Sequence, residues 1–256
     1  MPARDLVLLE DAAREAGEIA RSFWRDDPQV WDKGGDDPVS EADFAVDTHL
    51  KERLLAARPD YGWVSEETVD DPARLQAEKV FIVDPIDGTR AFVAGEKTWA
   101  HSLAVAEAGV VTAACVFLPV REKMYLSETG QGATLNGAQL QASERDNVEG
   151  ATVLSPKVSF RDEHWKNGPP LVERHFRPSL AYRLALIGEG RFDAMLTLRP
   201  AWEWDIAAGA LIAEEAGARI TDMHGMTLSF NSPSRQSAGV VAASRGVHTG
   251  LRNALR

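Results

Sequence analysis

The apolar run Val80-Phe81-Ile82-Val83, rich in β-branched residues, stops abruptly at Asp84-Pro85-Ile86-Asp87-Gly88-Thr89. The run reads as a buried strand, and the residues after it read as a tight turn. Two carboxylates at the mouth of a buried strand cost free energy unless something positive compensates them. Asp84 and Asp87 lie three positions apart across a proline-containing turn, so both can face one pocket together with the Ile86 carbonyl. An all-oxygen donor set of this kind suits Mg²⁺ or Mn²⁺. A close pair of carboxylates raises its own pKa values, whereas divalent cations favour the ionised forms. Spacing alone leaves an ordinary strand-ending turn as the competing reading. If a helix begins at Gly88-Thr89, its free N–H groups and the threonine hydroxyl receive phosphate oxygens, which puts metal and phosphate side by side as phosphoester hydrolysis requires.

Around this run the pattern alternates between helix and strand. Leu6, Leu9, Ala12, Ala16, Ile19 and Phe23 recur every three or four residues, predicting an amphipathic helix from Leu6 to about Trp24. A flexible loop is expected over Asp32 to Pro38, then a helix from Ser40 to about Ala57 with Ser40 as N-cap and Asp43 three residues on, as in a capping box. After Pro59, Tyr61 to Ser65 reads as a strand ending in Glu66 and Glu67, so two strands finish in acids. Trp99 to Ala108, Val110 to Leu118 and Lys123 to Leu126 form a meander, hence a partly antiparallel sheet. Later strands are expected over Ala151 to Leu154, Phe192 to Leu198, Arg219 to Thr221 and Gly239 to Ala243, and helices over Ala181 to Gly188 and Ile206 to Ala216. Asp205 would sit in the N-terminal turn of the last helix, where the dipole favours a carboxylate. The polar run from Gln141 to Gly150 is the best boundary, dividing the chain into regions 1–140 and 141–256.

The 256 residues carry a formal net charge of -11, from 39 acidic residues against 28 Lys and Arg, and no dense basic block. Nucleic-acid polymers are therefore unexpected partners. A small phosphorylated metabolite is not excluded, because a bound divalent ion reverses the local field. Cys115 is the one cysteine and lies in an apolar run, so no internal disulfide forms and a reducing cytoplasm is expected. Asp5, Glu10, Asp11, Arg14, Glu15 and Glu18 interrupt any apolar leader, and no segment reads as a membrane span. Ser40 and Ser65 are conceivable nucleophiles, but there is no Gly-x-Ser-x-Gly elbow.

Taken together, Asp84-Pro85-Ile86-Asp87-Gly88-Thr89, Ser65-Glu66-Glu67, Pro38-Val39-Ser40-Glu41-Ala42-Asp43 and Trp204-Asp205-Ile206-Ala207-Ala208-Gly209 resemble the signatures of the inositol monophosphatase superfamily. That superfamily includes bisphosphate nucleotidases, histidinol-phosphate phosphatases and fructose-1,6-bisphosphatases. The resemblance implies an α/β (α+β) layered αβαβα sandwich, with most metal ligands in 1–140 and the site completed by 141–256. It implies that Glu66, Asp84, Asp87, Asp205 and the Ile86 carbonyl hold two or three Mg²⁺ ions, with Mn²⁺ a substitute and Li⁺ an inhibitor. Glu66, Asp43 and Thr89 become the catalytic set, Asp43 and the Thr89 hydroxyl orienting a metal-bound water. Gly88, Thr89, Ser179, Ala181, Arg183, Arg199 and Asp205 become the substrate contacts. A homodimer is implied as well.

Inositol monophosphatases commonly carry an acid seven positions before the Asp205 equivalent; here Leu198 stands there, followed by Arg199. Arg199 or Arg183 would instead meet a second phosphate, and Ser155-Pro156-Lys157 resembles a loop of bisphosphate nucleotidases. The set favours a Mg²⁺-dependent 3'(2'),5'-bisphosphate nucleotidase, converting 3'-phosphoadenosine 5'-phosphate to AMP and phosphate. Inositol 1-phosphate and histidinol phosphate are the alternative substrates. Trp99 and Trp202-Glu203-Trp204 are candidates to stack on a base or imidazole. A non-enzymatic metal-binding protein is the alternative from a different class.

Overall fold

The computed structural model describes residues 4–34 and 38–256. Part of the loop expected over Asp32 to Pro38 lies outside the described residues. Helices α1 (Asp5–Phe23), α2 (Glu41–Ala57), α3 (Thr89–Val93), α4 (Leu180–Gly188), α5 (Glu203–Glu215) and α6 (Arg245–Ala254) alternate with two large sheets. The first sheet has seven strands in chain order across it: Gly62–Ser65, Lys79–Asp87, Ala100–Glu107, Val110–Leu118, Lys123–Glu128, Ala133–Leu135 and Ala138–Gln139. Its first two strands are parallel and the rest pair antiparallel. The second sheet has five, in the spatial order Glu173–His175, Thr152–Leu154, Ala194–Thr197, Val240–Ala243 and Arg219–Thr221.

Alternation along the strands builds the layers, because successive side chains leave a strand on opposite faces. In Lys79–Asp87, Phe81 and Val83 pack with Leu9, Ala16, Val46 and Leu50 of α1 and α2. Val80 and Ile82 face the other way, onto α4 and α5. The far side of α4 and α5 meets Leu154, Met195 and Ala242 of the second sheet, whose opposite face carries Val241 and Ala243 against Val247 and Leu251 of α6. The order is thus α1/α2, sheet, α4/α5, sheet, α6. With apolar residues all round, α5 is fit only for an interior layer, and residues 206 to 213 are buried throughout. Among the described residues no helix is long and apolar enough to cross a membrane.

The interior helices approach closely at one glycine. A Cβ on Gly209 would lie 2.6 Å from Leu184 Cβ and 3.0 Å from the Ala181 carbonyl oxygen, so α5 can rest on α4 only where position 209 lacks a side chain. Gly209→Val is expected to lower stability by about 1–3 kcal/mol through overpacking. Urea unfolding checks this; an unchanged midpoint at unchanged slope would show that the contact yields freely.

Candidate active site

The strand Lys79–Asp87 loses register with its antiparallel neighbour between Asp84 and Asp87. This irregularity re-aims the chain at the point where the sequence changes from apolar to acidic. Glu66 leaves the adjacent strand end, its N–H donating to the Val83 carbonyl, and Asp205 stands in the first turn of α5. One carboxylate oxygen from each of Glu66, Asp84 and Asp205 lies within 4.8 Å of the others. Asp84 is buried, and its Oδ1 has no hydrogen-bond partner. Burial, then the charges of Glu66, Asp87 and Asp205, push the Asp84 carboxyl well above the ordinary range; burial, then Asp87 and Glu66, do the same to Asp205. A buried acceptor without a donor, surrounded by oxygens of like charge, fits a hard divalent cation.

Asp87 sits differently. Its Oδ2 accepts from Ser179 Oγ (2.6 Å) and the Ala181 N–H (2.6 Å), and its Oδ1 accepts from the Leu180 N–H (3.1 Å). It is therefore bound to the N-terminus of α4 and lies outside the three-carboxylate group. Burial raises its carboxyl to about 6, opposed by these hydrogen bonds and by Arg183. The Ser179 hydroxyl and Ala181 N–H, read from the sequence as substrate contacts, are thus directed at Asp87. Arg183 is buried; its Nε donates to the Arg177 carbonyl (2.5 Å) and its Nη2 to the Pro178 carbonyl (3.0 Å). It acts as a strut that fixes the turn entering α4. Arg199 is exposed and makes no hydrogen bond or ion pair among the described residues, while its charge reaches Asp205.

Beside the carboxylates stands a threonine-aspartate pair. Ser40 caps α2, and Asp43 Oδ2 accepts from both the Ser40 N–H (2.8 Å) and the Ser40 hydroxyl (2.5 Å). That reciprocal box leaves Asp43 Oδ1 for the Thr89 hydroxyl, at 3.0 Å; the same hydroxyl lies 3.1 Å from the Ile86 carbonyl. Burial pushes Asp43 up to about 6 against the opposing Ser40 and Thr89 hydrogen bonds. Gly88 precedes Thr89 at φ 98°, in the left-handed region that glycine tolerates. A Cβ there would also lie 3.4 Å from the Ser179 backbone nitrogen. A helix does begin here, with Gly88 as N-cap and Thr89 as its first residue, and α3 runs for five residues.

Four supporting residues escaped the sequence reading. Lys33 places its ammonium 3.0 Å from Glu66 and 2.5 Å from Glu67, a cation among the carboxylates. Burial pulls its pKa down but the two glutamates outweigh this and hold it charged. Asp47, one turn beyond Asp43, accepts from Ser65 Oγ and from Thr68 Oγ1 (2.6 Å), fixing the turn that carries Glu66. Glu203 is buried and accepts the N–H groups of Asn231 (2.6 Å) and Ser232 (3.0 Å). Arg74 donates to Asp70 (2.6 Å), Asn231 (2.5 Å) and the Ser232 carbonyl (3.0 Å), tying the segment after Glu66 to the loop held by Glu203. Of these, the i, i+4 spacings of Asp43 with Asp47 and of Asp70 with Arg74 were available as signals.

The other candidates divide. Trp99 is buried against Phe92 and His101, and Trp204 is core, so neither can meet a ligand; Trp202 is exposed. Leu198 is buried with the second sheet. Ser155 is buried and bonded to backbone, and Lys157 is exposed.

A five-layer sandwich that gathers carboxylates from a strand, a strand end and an interior helix beside a threonine-aspartate pair is the build of a metal-dependent phosphatase. The chain belongs to the inositol monophosphatase family, whose model matches residues 3–256, and members of that family are Mg²⁺-dependent phosphatases. It is similar to an inositol-1-monophosphatase of Rhizobium meliloti, 34% identical over 236 residues that cover 86% of this chain and 85% of that one. It is equally similar to the Nus factor SuhB of Pseudomonas aeruginosa, 34% identical over 229 residues, 84% of this chain and 83% of that one. Among solved structures, the Thermotoga maritima IMPase superposes with a TM-score of 0.82 at 26% identity, covering 97% of this chain and 94% of its own. The suhB protein of Bartonella henselae has the same fold, with a TM-score of 0.83 at 24% identity over 98% of each chain.

Proposed function

We propose that this protein hydrolyses a phosphomonoester that carries a second anionic group, a 3'(2'),5'-bisphosphate nucleotide being the class its site suits best. The grouping of Glu66, Asp84 and Asp205 next to Asp43 and Thr89 carries the hydrolase part of this reading. Glu66, Asp84 and Asp205 would hold the metal, with the remaining Asp87 lone pairs and the Ile86 carbonyl available to complete its shell. Mg²⁺ bound there supplies an acidified water and neutralises charge on the phosphoryl group.

The chain's own groups do the rest. Asp43 is locked by Ser40 so that Oδ1 faces Thr89, and the pair can accept a proton from an attacking water and hold its oxygen in line with phosphorus. Asp87 and Arg183 keep the start of α4 against this face, and Glu203 with Arg74 fixes the approach of α5 relative to Glu66.

Two observations support the substrate class. Leu198 offers sugar hydroxyls no acceptor, and Arg199 is an exposed, uncommitted guanidinium whose charge reaches the site. Inositol 1-phosphate is the second reading, favoured by the similarity to the inositol-1-monophosphatase of Rhizobium meliloti. The net charge of -11 supports a small metabolite over a nucleic-acid polymer.

The deciding measurement is phosphate release from 3'-phosphoadenosine 5'-phosphate, inositol 1-phosphate and histidinol phosphate at saturating Mg²⁺. Release is expected to vanish with chelator, and kcat/KM to favour the bisphosphate by about tenfold or more, the worth of one charge-assisted contact. Preference for inositol 1-phosphate transfers the assignment to the second reading, and no Mg²⁺-dependent release from any of them refutes the phosphatase proposal.

A further inference from the structure

We propose that Trp202 is the platform on which the planar base of the substrate stacks, making it a specificity-determining residue for a nucleotide. This rests on the phosphatase reading and adds to it the part of the ligand remote from phosphorus.

Trp202 is the N-cap residue of α5 and Asp205 is the third residue of that helix. N-cap and N3 are neighbours at a helix start, which is why capping side chains reach the N3 backbone. The indole therefore emerges at the end of α5 that holds Asp205 in the carboxylate group. It is 38% exposed, whereas Trp204, Trp99, Trp165 and Trp63 are all buried.

Exposure alone decides nothing, but the packing beneath Trp202 does. Its ring lies on that of Trp204 with centroids 4.7 Å apart and planes 9° from parallel. The Arg235 guanidinium carbon is 5.7 Å from the Trp202 centroid and 6.0 Å from that of Trp204. A group equidistant from two stacked rings stands at their side; one capping the outer face of Trp202 would be much farther from Trp204. Arg235 therefore flanks the stack and does not cap the face of Trp202 opposite Trp204.

Trp204 is held in the core, and its backbone carbonyl accepts from Ser102 Oγ at 2.8 Å. Trp202 is thus a flat surface supported from below and braced at its edge, with its conformational freedom spent before any ligand arrives. Base-on-aromatic stacking needs only such a face, and every nucleobase has one to match. Arg199, three residues earlier, supplies positive charge that reaches Asp205, in keeping with a nucleotide that extends from the metal-binding carboxylates over the start of α5. An inositol ring, being saturated, has no π-face to stack there.

The test compares AMP, the base-bearing product, with ribose 5-phosphate, its baseless counterpart, by calorimetric titration of the Mg²⁺-loaded protein. Wild type is expected to bind AMP more tightly. Trp202→Ala should weaken AMP by about tenfold, the size of one lost stack, with a much smaller effect on ribose 5-phosphate, and Trp202→Phe should restore most of the loss. In turnover of 3'-phosphoadenosine 5'-phosphate the Trp202→Ala loss should fall on KM rather than kcat. Equal weakening of both ligands, no weakening of either, or a wild type indifferent to the base would each overturn the inference, even if phosphate release is normal. Base-dependent binding lost in Trp202→Ala without any phosphate release would instead uphold the platform and sink the phosphatase proposal.

Discussion

Asp84→Asn is expected to lower Mg²⁺-dependent phosphate release by on the order of 10³-fold or more, while the protein folds normally and melts at a higher temperature when metal-free. The two effects have one origin. Asp84 is buried, its Oδ1 lacks a donor, and Glu66 and Asp205 point oxygens at the same space. Without a cation this is a group of like charges removed from water, and an isosteric amide removes one of them. With a cation the same substitution removes a charged ligand, so the several kcal/mol of transition-state stabilisation that metal supplies is forfeited, and about 1.4 kcal/mol corresponds to each tenfold. Kinetics at saturating Mg²⁺ and thermal unfolding in chelator check the two halves. Retained turnover would remove Asp84 from the site, and a lowered metal-free melting temperature would mean that its carboxylate is compensated by groups already present.

How much of this was legible in the sequence depends on the range of the interaction. The strand ending at Asp87 was legible because an apolar period and a turn signal meet within ten residues. The α2 cap was legible because Ser40 and Asp43 are three apart, and their box is present. The C-terminal helix α6 was not, since Gly246 and Gly250 give its sequence the look of a loop. Their reason is tertiary: a Cβ on Gly246 would lie 2.5 Å from Asp146 Cα, and one on Gly250 would lie 2.3 Å from Val148 Cγ2. The polar run that read as a boundary is thus, in part, the surface against which α6 is laid. The strand Glu173–His175 escaped because its three residues are polar and largely exposed at a sheet edge.

The site divides along the same line. Glu66, Asp84 and Asp205 were found because each ends or begins an element, where a carboxylate needs a local reason. Lys33 and Glu203 were missed because their partners are 33 or 34 and 28 or 29 residues away, and nothing local distinguishes them from solvated charges; Arg74 has Asp70 four residues before it, but the partners that tie it to the far loop are 157 or 158 residues away. Arg183 shows the same dependence on the fold. A cation near the substrate signature suggested a phosphate contact, whereas folding directs two of its donors to the carbonyls of Arg177 and Pro178. Sequence identifies which charges need explaining; the fold decides which of them remain free to meet a ligand.

The gap in melting temperature between Mg²⁺-saturated and chelator-treated protein is expected to widen as pH rises from about 5 to 7.5. In the metal-free fold the carboxyls of Asp84 and Asp205 are pushed well above the ordinary range, chiefly by burial, and those of Asp43 and Asp87 are raised to about 6. A carboxyl whose folded pKa exceeds its unfolded one binds more protons in the folded state between the two values. Folding stability therefore falls as pH climbs from about 4 through that window. Lys33 does not alter the trend, because its raised pKa gives a contribution that persists until strongly alkaline pH. Asp193 and Asp70 have lowered values and contribute in the opposite direction, but they do so with and without metal and cancel in the difference. Mg²⁺ favours the ionised carboxylates and binds more tightly as protons leave, so the loaded protein escapes the decline. At a hundredfold excess over Kd the stabilisation is about 2.7 kcal/mol, or about 5–10 °C for a chain of this size. Thermal scans in matched buffers at several pH values, with Mg²⁺ or with chelator, give the gap directly. In Asp84→Asn it should shrink and lose much of its slope, and parallel curves for the wild type would show that the raised carboxyls and the cation site are separate features of the fold.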